Sequence, residues 1–530
     1  MKTLKPAKHS TRSLVLALLA STSLTSLIMA TEVAIPDPGL NAVIRDALNK
    51  PIGPLTDQDL LSLTNVSARG RNVGSIVGLE AARNLISLDL QINHLTDFSL
   101  PSALTKLTSL DLSDNPLTNL FLPSGLSNLT TLTIESVGLT NLSLPEDLVS
   151  LKSLDLFGNQ FSSFDALSNL TSLDSIDLSF NSFTNFSLPG GLTNLLTFRI
   201  GENPLTTISL PGDLTVLTEL YLAEDELSSF ILPSGMTNLI ELDLSFNQLT
   251  NVILPDDLWN LKELNLDSNQ LSSVTFPSNL TSLGSLHLRA NQFTNFALPT
   301  DLPALTYLDV SESPLSELTL PPGLNHLGTL RLSKNRLTSF IFPPGLSNLT
   351  AITLSENQLT NLVMPGDLNR LETLEVGDNL LTQLSLPAGL TNLAGLYFSG
   401  NLLTNVTLLP DMTQVSALGF LADPLTSFVL PETLAATSLA ADVATLRNQG
   451  VNVFTYPLTL QLLRPRELTG AFQFGIAGPP GTYTILGSDN LAAWPMVGTV
   501  SNIVGAISFV DTTANASPQR FYRALPQDAH

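Results

Sequence analysis

An asparagine recurs along most of this 530-residue chain at intervals of 22 residues or twice 22. The residues of this asparagine column are Asn93, Asn115, Asn159, Asn181, Asn203, Asn247, Asn269, Asn291, Asn335, Asn357, Asn379 and Asn401. From Asn93 to Asp423 the chain accommodates sixteen such units without an insertion. Because a unit this short cannot bury its own leucines, neighbouring units must stack and share one core. The period therefore predicts a solenoid of successive coils.

Each coil contains one short segment in which apolar and polar residues alternate. In the coil 107–128, Leu110 and Leu112 alternate with Ser109, Asp111 and Ser113. This period of two is typical of a strand with one buried face. Stacking of the coils would pair these strands side by side in one parallel sheet.

The asparagine column follows each of these strands, at a turn. An unpaired polar side chain there would cost roughly 1–3 kcal/mol, so we expect each amide to tie its own turn to the next coil and form a ladder along the solenoid. The column is broken at Val137, Asp225, Ser313 and Asp423. Asp and Ser can keep part of the bonding, whereas Val137 cannot and predicts local repacking.

A proline column marks the opposite side of the coils. Proline occupies this position in fourteen of the sixteen units and is replaced only by Leu167 and Leu409. Because proline lacks an amide hydrogen and disfavours helix in the residue before it, this side should be extended or polyproline-like. Near Leu167 and Leu170 the spacing allows a short helical turn.

The repeat pattern, LxxLxLxxN followed by LTxFxLPxGLxx, resembles that of the leucine-rich repeat family. An example is LIELDLSFNQLTNVILPDDLWN at residues 239–260, and the match covers residues 63–434. It is most similar to the 22-residue bacterial class that includes internalins. The resemblance implies a repeat solenoid shaped as an arc, with a parallel β-sheet on its concave face and a mostly extended convex side.

The N-terminus and the composition indicate the compartment. Residues 1–30 join a basic start to an apolar run, as in a secretory signal peptide; an uncleaved membrane anchor is the alternative. No later segment is apolar enough to span a membrane, and a net charge of −23 disfavours nucleic acid and anionic membranes as partners. The absence of cysteine excludes disulfides and thiol chemistry. We expect a bacterial protein that is secreted or held at the cell surface, with the periplasm as a further possibility.

The segments that flank the repeats should close the solenoid. Residues 31–62 predict a helical cap in which Asp37 caps a helix beginning at Pro38, and Thr56 with Asp59 forms a capping box. A degenerate coil with Arg71 in the asparagine position then precedes the regular sixteen. Residues 435–456 predict a closing helix that Gly450 ends, followed by a last strand. Residues 457–530 alternate in short runs that predict a small all-β sandwich.

Binding should involve the columns that do not repeat. In a leucine-rich repeat arc the resemblance implies that exposed residues of the concave strands contact the ligand. The central coils combine charge with aromatic rings, which are favoured at interfaces. We call the following eight residues the central patch: Arg199, Tyr221, Asp243, His287, Arg289, Tyr307, Asp309 and Arg331. The alternative is that these positions vary neutrally around a consensus aspartate.

Other chemistry has weaker support in the sequence. Paired acids such as Asp89 with Asp111, or Asp155 with Asp177, could share a calcium ion, although no DxDxDG loop is present. Three phenylalanines could stack on sugar rings or could merely cover strand ends: Phe157, Phe180 and Phe246. His287, near Asp243 and Asp309, is the one geometric candidate for catalysis, and no nucleophile motif accompanies it.

These patterns together predict a binding protein without catalytic activity and without a cofactor. Its partner would be a protein or a glycan that docks on the concave face. A structural or adhesive role in an envelope or matrix, without a discrete ligand site, is the alternative.

Overall fold

The computed structural model describes residues 30–514 and 519–527. The predicted signal peptide lies outside this range, apart from Ala30. A parallel sheet of seventeen three-residue strands runs the length of the solenoid, with one strand in each coil and 22 residues between equivalent positions. Its strands are Asn65–Ser67, Ser87–Asp89, Ser109–Asp111, Thr131–Thr133, Ser153–Asp155, Ser175–Asp177, Thr197–Arg199, Glu219–Tyr221, Glu241–Asp243, Glu263–Asn265, Ser285–His287, Tyr307–Asp309, Thr329–Arg331, Ala351–Thr353, Thr373–Glu375, Gly395–Tyr397 and Ala417–Gly419. The first belongs to the degenerate coil.

The predicted asparagine ladder is confirmed, with one change of direction. Asn115 is buried, and its Oδ1 accepts the N–H of Leu95 at 3.0 Å while its Nδ2 donates to the carbonyls of Leu90 and Leu112, both at 2.9 Å. Leu90 and Leu95 belong to the preceding coil, so each amide reaches backward along the chain and not toward the next coil. The same offsets recur at the other asparagines.

The breaks in the column behave as their chemistry requires. Asp225 keeps the acceptor half, because its Oδ1 receives the N–H of Leu205 at 3.4 Å, and it also accepts the N–H of Asn203 at 2.9 Å. Ser313 Oγ accepts from Asn291 N–H at 3.3 Å. At Val137 no such acceptor exists, and the N–H of Leu117 turns to the carbonyl of Asn115 at 2.9 Å. The hydrogen bonding thus changes locally at this break, and the repacking of side chains stays a prediction.

The convex side is extended, as the proline column predicted, and in part it pairs. Leu167, where proline is missing, lies buried in a 3₁₀ helix, Ala166–Asn169, which confirms the short helical turn expected there. Elsewhere short parallel strands form small separate sheets. They are Asp97–Ser99 with Asn119–Phe121, Asn185–Ser187 with Thr207–Ser209, Ser229–Ile231 with Asn251–Ile253, Asn295–Ala297 with Glu317–Thr319, and Asn405–Thr407 with Ser427–Pro431 and Asn452–Tyr456.

The front of the solenoid is covered by helices α1 (Pro38–Leu48) and α2 (Asp57–Leu60). Asp37 caps α1 through Leu40 N–H at 2.9 Å, and Thr56 with Asp59 forms the capping box of α2. Both predicted caps are therefore present. Leu40 and Leu60 are fully buried against the first coils.

The far end differs from the single closing helix expected from sequence. Two short helices, α3 (Glu432–Ala436) and α4 (Ala440–Asn448), follow the last convex strands. The expectation of one helix is wrong because Ser438 Oγ donates to the carbonyl of Val415 at 2.7 Å, which ties the chain to the preceding coil between the helices. Leu434 and Leu446, one from each helix, are buried on the solenoid core.

Six antiparallel strands follow the solenoid. One sheet contains Gln461–Leu468, Ala471–Ala477 and Ala506–Asp511, and the other contains Gly481–Ser488, Met496–Asn502 and Phe521–Pro526. The two sheets share a core of Phe474, Ile476, Tyr483 and Ile485, so they form a small β-sandwich. Within the described parts of the chain, no helix is long and apolar enough to cross a membrane.

Candidate ligand-binding face

Three columns of side chains point away from the core on the concave sheet. In the coil of Leu88 they are the first column at Ser87, the middle column at Asp89 and the third column at Gln91. In-register pairing repeats these columns on every coil. Because neighbouring strands lie about 4.8 Å apart, side chains in one column contact those of adjacent coils.

The Arg199 group occupies one end of the central patch. The guanidinium of Arg199 lies 4.6 Å from the centroid of the Tyr221 ring, and its Nη2 is 3.0 Å from the carboxylate of Glu219. Burial and a hydrogen bond with Glu241 raise the pKa of Tyr221 to about 12, so its hydroxyl stays protonated at neutral pH. These contacts hold a cation and a ring in fixed positions on the sheet.

The His287 stack, consisting of His287, Tyr307 and Arg331, occupies the other end. The rings of His287 and Tyr307 stack with centroids 4.7 Å apart, and the guanidinium of Arg331 lies 5.6 Å from the Tyr307 centroid. Tyr307 stands in the first column and the other two stand in the middle column, so the contacts run diagonally across three strands. Arg331 is exposed.

Of the remaining members of the central patch, Asp309 contacts the His287 stack, whereas Arg289 pairs outside it. Asp309 is buried and accepts from Ser311 N–H at 2.8 Å and from the Tyr307 hydroxyl at 3.2 Å, so it orients Tyr307. Arg289 pairs with Glu312 at 2.9 Å. Lys334 and Arg289 together hold the pKa of Glu312 below its ordinary value.

His287 is not arranged as a catalytic base. The middle-column neighbours of His287 in register are Asn265 and Asp309, so Asp243 is two strands away and the proximity expected from sequence is wrong. Its Nε2 contacts Ser285 Oγ at 2.8 Å and lies 3.7 Å from Glu263. A nucleophile–base–acid relay needs the acid on the other ring nitrogen, whereas both contacts here involve the same one.

An acidic row in the first column was missed by the sequence reading. Glu219, which pairs with Arg199, lies beside Glu241 and Glu263 on three neighbouring strands, and the row ends on the strand next to that of His287. Burial and the nearby carboxylates raise the pKa of Glu241. The repeat register is sufficient to predict this row, because the residues of the first column can be followed from coil to coil just as those of the middle column can.

Phe157, Phe180 and the acid pairs lie toward the N-terminal end of the same sheet, whereas Phe246 lies in the coil of Asp243, within the span of the central patch. Phe157 and Phe180 stack with ring centroids 5.8 Å apart, while Phe246, three coils further on, is 57% exposed. For calcium, no group of three or more acidic or histidine side chains in the described residues is placed to hold a metal ion. The acid pairs therefore do not by themselves build a coordination shell.

Two known families of leucine-rich repeats match the repeat region of the chain. A BspA type leucine rich repeat region matches residues 156–266 and 266–374, and a second leucine rich repeat description matches residues 83–124. No curated protein matches the chain in sequence.

Solved structures of bacterial proteins are similar in fold. YopM from Yersinia enterocolitica is 26% identical, and the match covers 74% of this chain and 92% of YopM with a TM-score of 0.52. The functional domain of InlJ from Listeria monocytogenes is 18% identical over 94% of this chain and 99% of that domain, also with a TM-score of 0.52. An internalin from Listeria monocytogenes is 22% identical over 75% of this chain and 99% of that chain, with a TM-score of 0.42.

Proposed function

Since the chain is a leucine-rich repeat protein, we propose that it is a non-catalytic binding protein, exported from a bacterial cell, that recognises a protein through the central patch on its concave sheet. The signal-like character of residues 1–30 supports export. The β-sandwich that follows the solenoid would space or attach the binding face.

The observation that carries this proposal is the fixed arrangement of cations and rings at both ends of the patch. Arg199 is held by Tyr221 and Glu219, and Tyr307 by His287 and Asp309. Ordering a flexible side chain at an interface costs about 0.5–1.5 kcal/mol, and much of that cost is met before the partner arrives. Arg and Tyr are also the residues that most often dominate interface energies.

The dimensions of the patch suit a protein partner. Arg199 and Arg331 lie on the first and the last of seven neighbouring strands. At ordinary strand spacing the patch is therefore roughly 30 Å long. A standard interface buries about 800 Å² on each partner, so a patch of this length and three columns in width is of the required order. The acidic row of Glu219, Glu241 and Glu263 between the two ends would select a partner with complementary charge.

The test is capture of partners by the chain from residue 31 onward, with cross-linking, from extracts of the cells or surfaces that the bacterium meets. We expect R199A/Y221A/H287A/R331A to lower affinity for a captured protein by about tenfold or more. The matched control is T133A/T353A, which changes the same column outside the patch and should bind as the wild type does.

Unchanged binding by the quadruple variant, with both variants folded by circular dichroism, would contradict the central-patch proposal. A glycan array run in parallel separates the alternatives. Patch-dependent binding to sugars would assign the face to a glycan, and no binding in either assay would favour a structural role.

A further inference from the structure

A second feature of the concave sheet lies outside the central patch, at the stacked pair Phe157 and Phe180. Phe180 is 57% exposed, so most of its ring surface does not contribute to the core. Phe180 also has a left-handed backbone, at φ 57°, a position that Gly158 occupies in the preceding coil. A large apolar side chain that is exposed in this conformation adds little to stability.

Carboxylates surround this ring pair on adjoining coils. Asp155 precedes Phe157 by two residues, and its Oδ1 accepts the N–H of Phe157 at 3.0 Å. Glu135 stands one coil before Phe157, at the equivalent position. Asp177 lies beside Asp155 in register. Burial, together with Asp177 and Glu135, raises the pKa of Asp155 to about 7.

No salt bridge among the described residues relieves this repulsion, although Asp177 is the in-register neighbour of Arg199. Within residues 30–514 and 519–527, none of the ion pairs includes Glu135, Asp155 or Asp177, although Arg199 and Arg289 on the same sheet are both paired. The three columns between Ser87 and Ser179 contain five acids and neither lysine nor arginine. Like charges held together beside an aromatic surface leave room for an external cation.

We propose that Phe157 and Phe180, together with Glu135, Asp155 and Asp177, bind a lysine or arginine side chain of a polypeptide partner. The ring faces supply a cation–π surface and the carboxylates supply the opposite charge and hydrogen-bond acceptors. Neither feature alone would select such a ligand. A solvated pair of carboxylates binds many cations, and an apolar pair of rings binds many apolar groups.

The choice of a polypeptide rests on the proposed function. Asp177 is the in-register neighbour of Arg199, so the cation site adjoins the central patch without an intervening coil. A protein that covers the patch could therefore extend a basic segment across the acidic strands. The presence of a cation site as such does not depend on the central patch.

The test uses hexalysine with a fluorescent label as the probe and the chain from residue 31 onward, titrated by fluorescence anisotropy at 0.15 M salt. We expect F157A/F180A to weaken binding about five-fold or more, since it removes both rings. This variant leaves the net charge unchanged, so nonspecific attraction of a polycation to an acidic protein would be unaffected. F157L/F180L, which keeps apolar bulk and removes only the aromatic faces, should weaken binding in the same direction.

Two further variants complete the design. E135Q/D155N/D177N should weaken binding about tenfold or more, because the opposite charge is lost. F246A is the matched control, since Phe246 has the same 57% exposure and a left-handed φ of 53° but stacks on no other ring in the described part of the chain. It should bind hexalysine as the wild type does.

Wild-type affinity in both F157A/F180A and F157L/F180L would overturn the proposal. So would displacement of hexalysine by a glucosamine oligomer of equal charge at equal or lower concentration, because that would assign the site to an amino sugar. The central-patch variant R199A/Y221A/H287A/R331A leaves Phe157, Phe180 and their carboxylates in place. Failure of the proposed function therefore does not by itself abolish hexalysine binding.

Discussion

A single amide in each coil meets the hydrogen-bonding needs of two turns. The side chain of Asn247 donates to the carbonyls of Leu222 and Leu244 and accepts the N–H of Leu227 at 3.0 Å. All of these groups are buried, where an unpaired polar group costs roughly 1–3 kcal/mol. The ladder is thus a repeated solution to one local problem, and it carries no information about a ligand.

Asp225 shows what happens when the donor half of that amide is lost. Its Oδ2 is buried and has no hydrogen-bond partner among the described residues, and burial raises the pKa of this carboxyl to about 8. By the ladder offsets, an amide here would face the carbonyls of Ile200 and Leu222. We predict that D225N stabilises the fold by about 1–3 kcal/mol above pH 8, where the carboxyl is ionised and has no donor, measured by urea unfolding.

The gain from D225N should depend on pH. Because the folded pKa of Asp225 lies above the unfolded value of 3.8, the wild type loses stability as the pH rises from about 4 to about 8. The difference between the two proteins should therefore widen across this window and stay constant above it. For D423N the difference in stability from the wild type should widen in the same way, but only up to about pH 6. D114N, at an exposed carboxylate, is the control, and a difference for D225N that did not vary with pH would contradict the argument.

At the scale of elements, three-residue strands present side chains whose partners lie on neighbouring coils. The repeat register was sufficient to predict which residues face outward, including Arg199 and Tyr221. It could not predict the diagonal stack of His287 on Tyr307, or that Arg289 turns to Glu312, because rotamers of long side chains depend on which neighbour offers the better contact. The sequence therefore identified the surface but not its pairings.

The entry to the solenoid depends on one side chain that joins two elements. Asp37 Oδ1 caps α1, and its Oδ2 accepts the N–H groups of Gly74 at 2.7 Å and Ser75 at 3.1 Å in the first coil. We predict that D37A destabilises this end by about 1–3 kcal/mol, since a cap and two charged hydrogen bonds are lost. Hydrogen exchange should speed up at Leu40, Gly74 and Ser75.

The control for D37A is D46A, which removes a carboxylate that has one ion pair within the described residues, an exposed one with Arg71 at 3.2 Å. Surface pairs of this kind contribute about 0–1 kcal/mol, so exchange should change little. Equal acceleration in D37A and D46A would mean that Asp37 does not join the helix to the coil.

At the scale of the whole molecule, each coil contacts chiefly the coils before and after it. Stability in such a solenoid is close to a sum over coils and their interfaces. The breaks at Val137, Asp225 and Ser313 are 88 residues apart, which is four coils. A block of this length should therefore be removable without loss of register.

We predict that deleting residues 226–313 leaves a folded solenoid, because Asp225 then precedes Pro314 and Leu315, which occupy the positions of Glu226 and Leu227. Far-UV circular dichroism should keep its shape. The urea m-value should fall by about a quarter, in line with the surface no longer exposed on unfolding. The control is deletion of residues 226–302, which interrupts a coil midway and should prevent cooperative folding. Equal m-values for the wild type and the 88-residue deletion would contradict this additive behaviour.

The sequence by itself determined the coil, the strand face, the extended convex side and the front caps, because each follows from local patterns that a 22-residue period repeats. Tertiary structure decided what depends on contacts between coils. Ser438 reaches back to Val415 and divides the closing helix, the asparagines bond the coil behind them, and Glu135 lies near enough to Asp155 to raise its pKa. These contacts join residues about 22 apart in sequence but only one strand spacing apart in space, and such a distance exists only once the coils have stacked.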